Sequence, residues 1–390
     1  MGAFADKIKE NYKAFFQTTW SPMTGGVVIA FLCVFMVAWH RPFGIVGGIR
    51  NWADWLFYSI GLFHAWKQPP PHPLYFSSSV IDIGFLAGAW ISAVIGKEFA
   101  FRVPPVLELI KGFFSGILMG LGAAFAFGCN VGGFYSATQD LAANGLVMFI
   151  GLICGVAVGL KYLFWEMEHI PAGPPGPTLL DKKIPPVVGF IAILIMIIAG
   201  FAYTDSSRSG ADLMAGYLLI GGAIGFVFQR SRFCMVNGFR EPFMTGDARM
   251  GKAVAISVII GTFGIAIIKY MGLRPEMLYV TPCFWWGALI GGFIFGMGMV
   301  VAGGCGTGSL WRVGEGQVKL IVVATMFALS NSIFRYYFTQ TGFLYKLGKP
   351  VYLPDYLGYG GSLILITVIM LVWYIIIDWN EETNKFVYEI

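Results

Sequence analysis

The chain carries one glycine-rich motif twice, and in both copies the motif leads to a cysteine. The first copy reads GILMGLGAAFAFGCNVGG from Gly116 to Gly133, and the second reads GFIFGMGMVVAGGCGTGS from Gly292 to Ser309. Neither copy contains Asp, Glu, Lys or Arg. An apolar run that stops at Gly-Cys indicates a membrane helix broken at depth, and broken helices in paired halves point to a transport path. The matched positions are Gly116/Gly292, Gly120/Gly296, Gly122/Gly298, Gly128/Gly304, Cys129/Cys305 and Gly132/Gly308.

Composition sets the class of protein. Only 12% of the residues are charged, 57% are hydrophobic, and the mean hydropathy is +0.72. These values exclude a soluble globular domain and predict an all-α integral membrane protein. A span needs about 20 mainly apolar residues. By that rule we predict about nine spans, near 22–40, 78–97, 107–128, 144–165, 185–203, 250–270, 281–302, 318–338 and 361–378.

Shorter apolar segments predict re-entrant structure. Segments 50–66 and 211–229 are short or interrupted, and the residues after Cys129 and Cys305 are expected to begin half-helices. If 50–66 and 211–229 cross the bilayer, the two halves are inverted, and otherwise they are parallel. The predicted organisation is a first repeat at 1–168, a Pro/Gly-rich linker at 169–186, a second repeat at 187–340, and an added span with its tail at 341–390.

The six cysteines include two at the predicted helix breaks. Cys33, Cys154 and Cys283 lie among large apolar residues, where a thiol packs as a small hydrophobic group. Cys129 and Cys305 follow a glycine where a helix is predicted to stop, so each sulfur is expected beside unpaired backbone N–H groups, which favour anions. A disulfide between Cys129 and Cys305 is an alternative, although oxidised sulfurs would no longer donate S–H.

A third candidate thiol, Cys234, lies in FVFQRSRFCMVNGFRE with Arg232 and Asn237 nearby. Arginine at membrane depth is costly unless it lines water or meets an anion. The alternative is a loop of arginines that reach the interface along their aliphatic stems. Beyond the second break, Arg312 and Glu315 are expected to pair with each other.

Other chemistry-bearing residues are sparse. Asp82 lies in an apolar run, where it is either a functional intramembrane acid or the cap of its helix. The cysteines show no C-x-x-C spacing, and the four histidines fall at span ends or in loops, so no metal or cofactor is expected. No nucleotide-binding loop is visible, which argues against an ATP-driven pump.

Three stretches together resemble the YeeE/YedE family of bacterial inner-membrane sulfur transporters. They are FGCNVGGFYSAT, RSRFCMVNGFRE and VAGGCGTGSLWRVGEGQVKL. The resemblance covers the whole chain and is nearer to the longer YedE-type members. It implies inverted halves with short helices from both faces, and it places the family's cysteines at Cys129, Cys234 and Cys305. The first-half counterpart of RSRFC is expected near 58–66, where no cysteine stands.

The resemblance implies import of thiosulfate or a related small sulfur anion by a multi-pass inner-membrane protein, without catalysis. A small sulfur-carrier protein on the cytoplasmic side is the expected protein partner, and no nucleic acid is expected. Transport of a selenium species, or a membrane subunit of a sulfur-transferring redox enzyme, is the alternative. The predicted substrate path consists of Cys129, Cys234, Cys305, Gly128, Gly132, Gly304, Gly306, Gly308, Asn130, Arg232 and Asn237.

Overall fold

The fold is a bundle of helices, as the composition predicts. A computed structural model describes residues 2–62, 69–171, 173–174, 176–180, 184–276 and 278–387. The only strands in these ranges are β1 (Phe101–Arg102) and β2 (Thr178–Leu179), which pair antiparallel. The predicted linker therefore contains one short strand that ties it to the chain between two spans.

The helices follow in chain order. In the first part of the chain they are α1 (Gly2–Tyr12), α2 (Pro22–Trp39), α3 (Val46–Ser59), α4 (Ser77–Ile95), α5 (Val106–Ala126), α6 (Ala137–Gln139) and α7 (Ala143–His169). In the second part they are α8 (Pro186–Thr204), α9 (Ala211–Ser231), α10 (Met235–Met244), α11 (Arg249–Tyr270), α12 (Trp286–Ala302), α13 (Gly306–Glu315), α14 (Val318–Gln340) and α15 (Pro354–Thr383). Short π-helical or 3₁₀ stretches cover Lys13–Gln17, Pro73–Tyr75, Asn130–Ser136 and Phe343–Lys346.

The described residues contain ten helical segments long and apolar enough to span a membrane. Nine of them confirm the predicted spans. The tenth is α9, and the prediction of a re-entrant segment at 211–229 is therefore not the structure that this part of the chain forms. Its 21 residues correspond to about 31 Å of helix at 1.5 Å per residue. The polar residues that made it look interrupted, Gln229 and Arg230, are fully buried against other protein groups.

The segment 50–66 forms a different structure from α9. Helix α3 covers Val46–Ser59, and its 14 residues are too few for a crossing. Residues 63–66 of this segment lie outside the described residues. Helix α3 packs on α4 and α14, so it lies inside the bundle as the sequence predicts for a re-entrant helix.

Glycines set the distances between the long helices. Gly84 and Gly88 of α4 lie against the backbone of Leu218 and Gly222 in α9. The motif glycines act in the same way, since Gly116 and Gly120 face α14, while Gly292 and Gly296 face α7. Small residues let membrane helices approach closely and gain van der Waals contact, which is the main attraction available in lipid.

The two motif copies run in opposite directions. Gly122 of α5 lies against Gly291 and Phe295 of α12, whereas Gly298 further along α12 lies against Met119, earlier in α5. Helices α5 and α12 are therefore antiparallel. Each carries one copy of the glycine motif, so the two breaks enter the bundle from opposite ends.

The bundle has two distinguishable ends. Helices α2 and α11 run parallel, and their carboxyl ends lie where α9 begins, because the Trp39 indole donates to the carbonyl oxygen of Leu213 at 3.0 Å. We call this the arginine end, after Arg41. At the opposite end, the last turn of α9 carries Arg230, whose guanidinium meets Glu98 at 2.6 Å just after α4. We call this the Glu98 end.

We expect Gly88→Ala to destabilise the protein, because a Cβ at position 88 would overlap the carbonyl oxygen of Gly222. Backbone atoms cannot rotate away as a side chain can, so α4 and α9 must separate. Overpacking of this kind costs about 1–3 kcal/mol. The apparent Tm of the purified protein in detergent, followed by tryptophan fluorescence, measures the effect.

Gly360→Ala in α15 is the matched control, since nothing lies within 4 Å of a Cβ built there. An equal Tm for the two variants would contradict the close packing of α4 on α9.

Candidate functional site

Each of three buried cysteines stands at the start of a short helix. Cys129 precedes the π-helical stretch that continues into α6, Cys234 precedes α10, and Cys305 precedes α13. All three side chains have no exposed surface. The predicted half-helices after Cys129 and Cys305 are therefore present, and Cys234 begins a third.

The sulfur atoms face the unpaired amides of those helix starts. Sγ of Cys305 accepts a hydrogen bond from the backbone N–H of Gly308 at 3.1 Å. The backbone N–H group of Gly132 is directed at Sγ of Cys129, and that of Asn237 at Sγ of Cys234. A helix start carries partial positive charge, so each sulfur lies where an anion is favoured.

The structure brings the three cysteines together. A Cβ built at Gly308 would lie 3.1 Å from Sγ of both Cys234 and Cys305, so these two thiols lie beside each other. A Cβ built at Gly306 would lie 3.1 Å from Cβ of Cys129. These glycines leave the space beside the sulfurs open. The other three predicted glycines lie at the breaks, with Gly128 against Gly133, Gly132 against the Tyr279 hydroxyl and Gly304 against Ser309.

All six cysteines are free, so the disulfide between Cys129 and Cys305 is wrong. The three cysteines outside the site behave as packing groups or face outward. Cys33 is buried, and Cys283 is buried with its S–H directed at the carbonyl oxygen of Ala126 at 3.2 Å. Cys154 is exposed on α7.

Buried polar groups without partners line the same region. Within the described residues, the side-chain polar atoms of Asn130, Thr307 and Ser309 and the indole N–H of Trp311 have no hydrogen-bond partner. The side chain of Asn130 lies beside Cys305. Buried polar groups are normally paired, so a group of unpaired donors next to three thiols indicates a place for a ligand or water.

A cavity of about 170 Å³ opens at the arginine end, and its floor includes Gly128 and Gly132 beside Cys129. Three arginines line it, namely Arg41, Arg50 and Arg335. The sequence did not single out these residues, because Arg335 and Arg50 lie inside segments predicted from their apolar character, 318–338 and 50–66, and Arg41 directly follows the span at 22–40. Basic residues close to membrane depth were the available signal.

Arg232 closes the Glu98 end with ion pairs. Its guanidinium lies 3.1 Å from Glu98 and 2.9 Å from Glu315, which is almost fully buried. The predicted pair of Arg312 with Glu315 is wrong, because Arg312 donates to the carbonyl oxygen of Gly303 at the end of α12. The two residues lie on one short helix, and its last turn directs Glu315 toward α9 instead.

Asp82 does not cap α4. The helix begins at Ser77, which places Asp82 in its second turn, fully buried against Gly48 of α3. The alternative of a capping role is therefore wrong. The Asp82 carboxyl group therefore contacts the first turn of α3.

The first-half counterpart of Cys234 is Gly44, not a residue near 58–66. The loop RPFG precedes α3 as the loop RSRFC precedes α10. Gly44 lies next to Gly132 as Cys234 lies next to Gly308, the matched glycine of the second motif. A position near 58–66 follows from matching segment 50–66 with α9, whereas the order of a long helix followed by a short one matches α2 and α3 with α9 and α10. Residues 63–66 lie outside the described residues.

Ten apolar spans around broken helices that meet at buried thiols define a multipass membrane transporter. Residues 3–158 and 230–388 match the model of a family described as sulphur transport, and together they cover more than half of the chain. The chain belongs to this sulphur transport family. It is a multipass protein of the bacterial inner membrane.

Relatives that match nearly the whole chain and relatives that match about a third of it support this membership. A "Probable transporter YedE" from Escherichia coli strain K12 is 23% identical over 93% of both chains. A "Thiosulfate transporter TsuA" from the same organism is 36% identical over 30% of this chain and 33% of its own length. TsuA of Spirochaeta thermophila is 34% identical over 29% of this chain and 33% of its own length.

We expect Glu315→Gln to lower the apparent Tm, since it removes one of the two carboxylates that pair with Arg232 and turns an acceptor oxygen into an NH2 group that faces the donors of Gln229 and Gln317. Removing one partner of a buried charged pair lowers the free energy of unfolding by about 1–3 kcal/mol. We expect the lower part of this range, because Arg232 is partly exposed. Thermal unfolding in detergent measures it.

Glu10→Gln is the control for Glu315→Gln, because the Lys7–Glu10 pair is exposed. Such pairs contribute about 0–1 kcal/mol. A Tm shift as small as that of the control would show that the ion pairs of Arg232 with Glu98 and Glu315 do not stabilise the fold.

Proposed function

We propose that the protein imports thiosulfate or a related small sulfur anion along a path lined by Cys129, Cys234 and Cys305. The observation that carries this proposal is the row of three buried thiols, each at the start of a short helix, between the two ends of the bundle. Similarity to the thiosulfate transporter TsuA of two organisms supports the choice of substrate.

The chemistry of the row suits a dianion with a soft sulfur atom. Moving such an ion into a low-dielectric interior costs many kcal/mol unless donors replace its water. Neutral S–H groups, backbone amides and the unpaired donors of Asn130 and Thr307 offset part of that cost. None of them carries a full charge, so no single position holds the ion tightly. Weak binding at several sites is what conduction requires.

The glycines beside the sulfurs serve the same path. Gly306 and Gly308 leave room at Cys129, Cys234 and Cys305, where any side chain would lie within van der Waals contact of a cysteine. Asn237 contributes its backbone N–H beside Cys234. Arg232 lies beyond the last thiol, where its ion pairs with Glu98 and Glu315 would have to yield to a departing anion.

The two repeats, 1–168 and 187–340, are proposed to be inverted, with 169–186 as the linker and 341–390 as an addition. The antiparallel packing of α5 and α12 supports this proposal. The short helices support it as well. After Cys129 the chain reaches Asp140, which pairs with Lys269 at the arginine end, whereas α13 ends at Glu315 near Glu98.

Transport is favoured over a sulfur-transferring enzyme. A persulfide-forming thiol needs a positive group to stabilise the thiolate. Arg232, the basic residue nearest in sequence to Cys234, is instead shared between two carboxylates. Arg312 also acts on Cys234, with its guanidinium on the carbonyl oxygen of Gly303 rather than on a carboxylate, so the preference for transport rests mainly on the similarity to named transporters.

Uptake of radiolabelled thiosulfate into proteoliposomes tests the proposal. We expect Cys129→Ala, Cys234→Ala and Cys305→Ala each to reduce uptake at least about tenfold, because each removes an S–H donor from the row. A tenfold change corresponds to about 1.4 kcal/mol, the order of one hydrogen bond. Cys154→Ala is the matched control, since Cys154 is exposed on α7.

Equal uptake by all four variants would contradict the thiol path. If the wild-type protein moves no thiosulfate, selenite, sulfite and sulfide are offered to the same liposomes, and uptake of selenite alone would replace the sulfur anion with a selenium one.

A further inference from the structure

The cavity at the arginine end holds more positive charge than its contacts neutralise. Among the described residues, Arg50 has one carboxylate within 4 Å, Asp54 at 3.5 Å, and Arg41 and Arg335 have none. Arg41 is held by the hydroxyl groups of Ser77 and Ser78 at 2.6 and 2.8 Å. Hydroxyl groups fix the position of the guanidinium without cancelling its charge.

Of the two arginines without a nearby carboxylate, Arg41 and Arg335, the second has the more unusual surroundings. Its guanidinium lies over the ring of Phe127, 3.3 Å from the ring centroid, and it is close enough to Arg50 for the two charges to repel. Two like charges beside each other in a half-buried cavity are unfavourable. A bound anion would relieve that repulsion.

A tyrosine hydroxyl lies at the inner side of the cavity. The Tyr279 oxygen would be 3.0 Å from a Cβ at Gly44 and 2.6 Å from one at Gly132, so it occupies the place where a thiol at position 44 would lie. Burial raises the pKa of Tyr279, which keeps the hydroxyl protonated as a donor. The backbone of Tyr279 has a φ of +67°, an uncommon conformation for a non-glycine residue that often marks functional sites.

The Glu98 end differs in its charge balance. There Arg230 and Arg232 meet Glu98 and Glu315 in direct ion pairs. Two other acids lie near the arginine end, and neither lines the cavity. Asp82 acts on Arg41 from behind Gly48, and Asp140 pairs with Lys269. Arg312 at the Glu98 end also lacks a carboxylate partner among the described residues, but its guanidinium meets the carbonyl oxygen of Gly303. At the arginine end, Arg41 and Arg335 line an open cavity without a direct carboxylate partner in the described part of the chain.

We propose that Arg41, Arg335 and the Tyr279 hydroxyl form a capture site for doubly charged oxyanions, where the ion is selected by charge before the thiols select it by sulfur. The direction of anion movement in this proposal rests on the proposed function, whereas binding of the anion at this site does not. Hard donors do not distinguish a sulfate oxygen from a thiosulfate oxygen. The site therefore accepts both dianions and rejects a sulfur-containing monoanion such as thiocyanate.

Equilibrium binding of labelled thiosulfate to the full chain in nanodiscs tests the site without transport. We expect Arg335→Gln and Arg41→Gln each to weaken binding at least about tenfold, and Tyr279→Phe to weaken it less. Sulfate should displace the label at constant ionic strength, and thiocyanate should not. Arg208→Gln is the control, since Arg208 is an exposed arginine near the same end, against Tyr75 and outside the cavity.

The readouts separate this proposal from the transport proposal. Cys305→Ala should lose uptake but keep binding and its displacement by sulfate, whereas Arg335→Gln should raise KM for uptake with little change in the maximal rate. Arg-dependent binding in a protein that moves no thiosulfate would reject transport and retain the site. Wild-type affinity in both arginine variants, or displacement by thiocyanate as effective as by sulfate, would overturn the capture site.

Discussion

Inside a bilayer, a helix cannot end without leaving backbone N–H groups unpaired, and no water is available to satisfy them. This chain ends helices at depth in several places and puts a sulfur or a glycine at each of them. The cysteine sulfurs receive the first amides of the following helices, and glycines keep the adjoining space open. The same unpaired backbone that would be a defect elsewhere is the polar lining of the proposed path. The long helices pack tightly around these breaks and shield them from lipid.

That shielding explains the distribution of glycine. Helices α4 and α9, α5 and α12, and α7 and α12 approach through glycine faces, and a methyl group at many of these positions would overlap a neighbouring backbone. The short helices occupy the interior that this close approach encloses. Charged side chains are kept to the two ends, where ion pairs or an aqueous cavity receive them.

Much of the fold could be predicted from the sequence, because hydropathy and span length decide which segments cross the bilayer. Nine spans, the all-α class and the breaks after Cys129 and Cys305 all follow from local pattern. The crossing by α9 did not, since Gln229 and Arg230 are acceptable only through contacts with Ser92 and Glu98, which are distant in sequence. The pairing of Gly44 with Cys234, and the meeting of Arg41, Arg335 and Tyr279, also depend on tertiary placement. Individual residues of the proposed path could be named from the sequence, but the arginine-lined cavity next to them could not.

The opposed directions of the two motif-bearing helices have an electrical consequence. The half-helix that starts at Cys129 leads toward the arginine end, and the one that starts at Cys305 leads toward the Glu98 end, so their dipoles point away from each other and both positive ends face the middle. The backbone therefore creates a well for anions at the centre rather than a slope across the membrane. Net flow through such a well has no preferred sense of its own. Net flow of the proposed anion would follow its electrochemical gradient, so consumption of the substrate on one side and the membrane potential, rather than the shape of the protein, would set the direction.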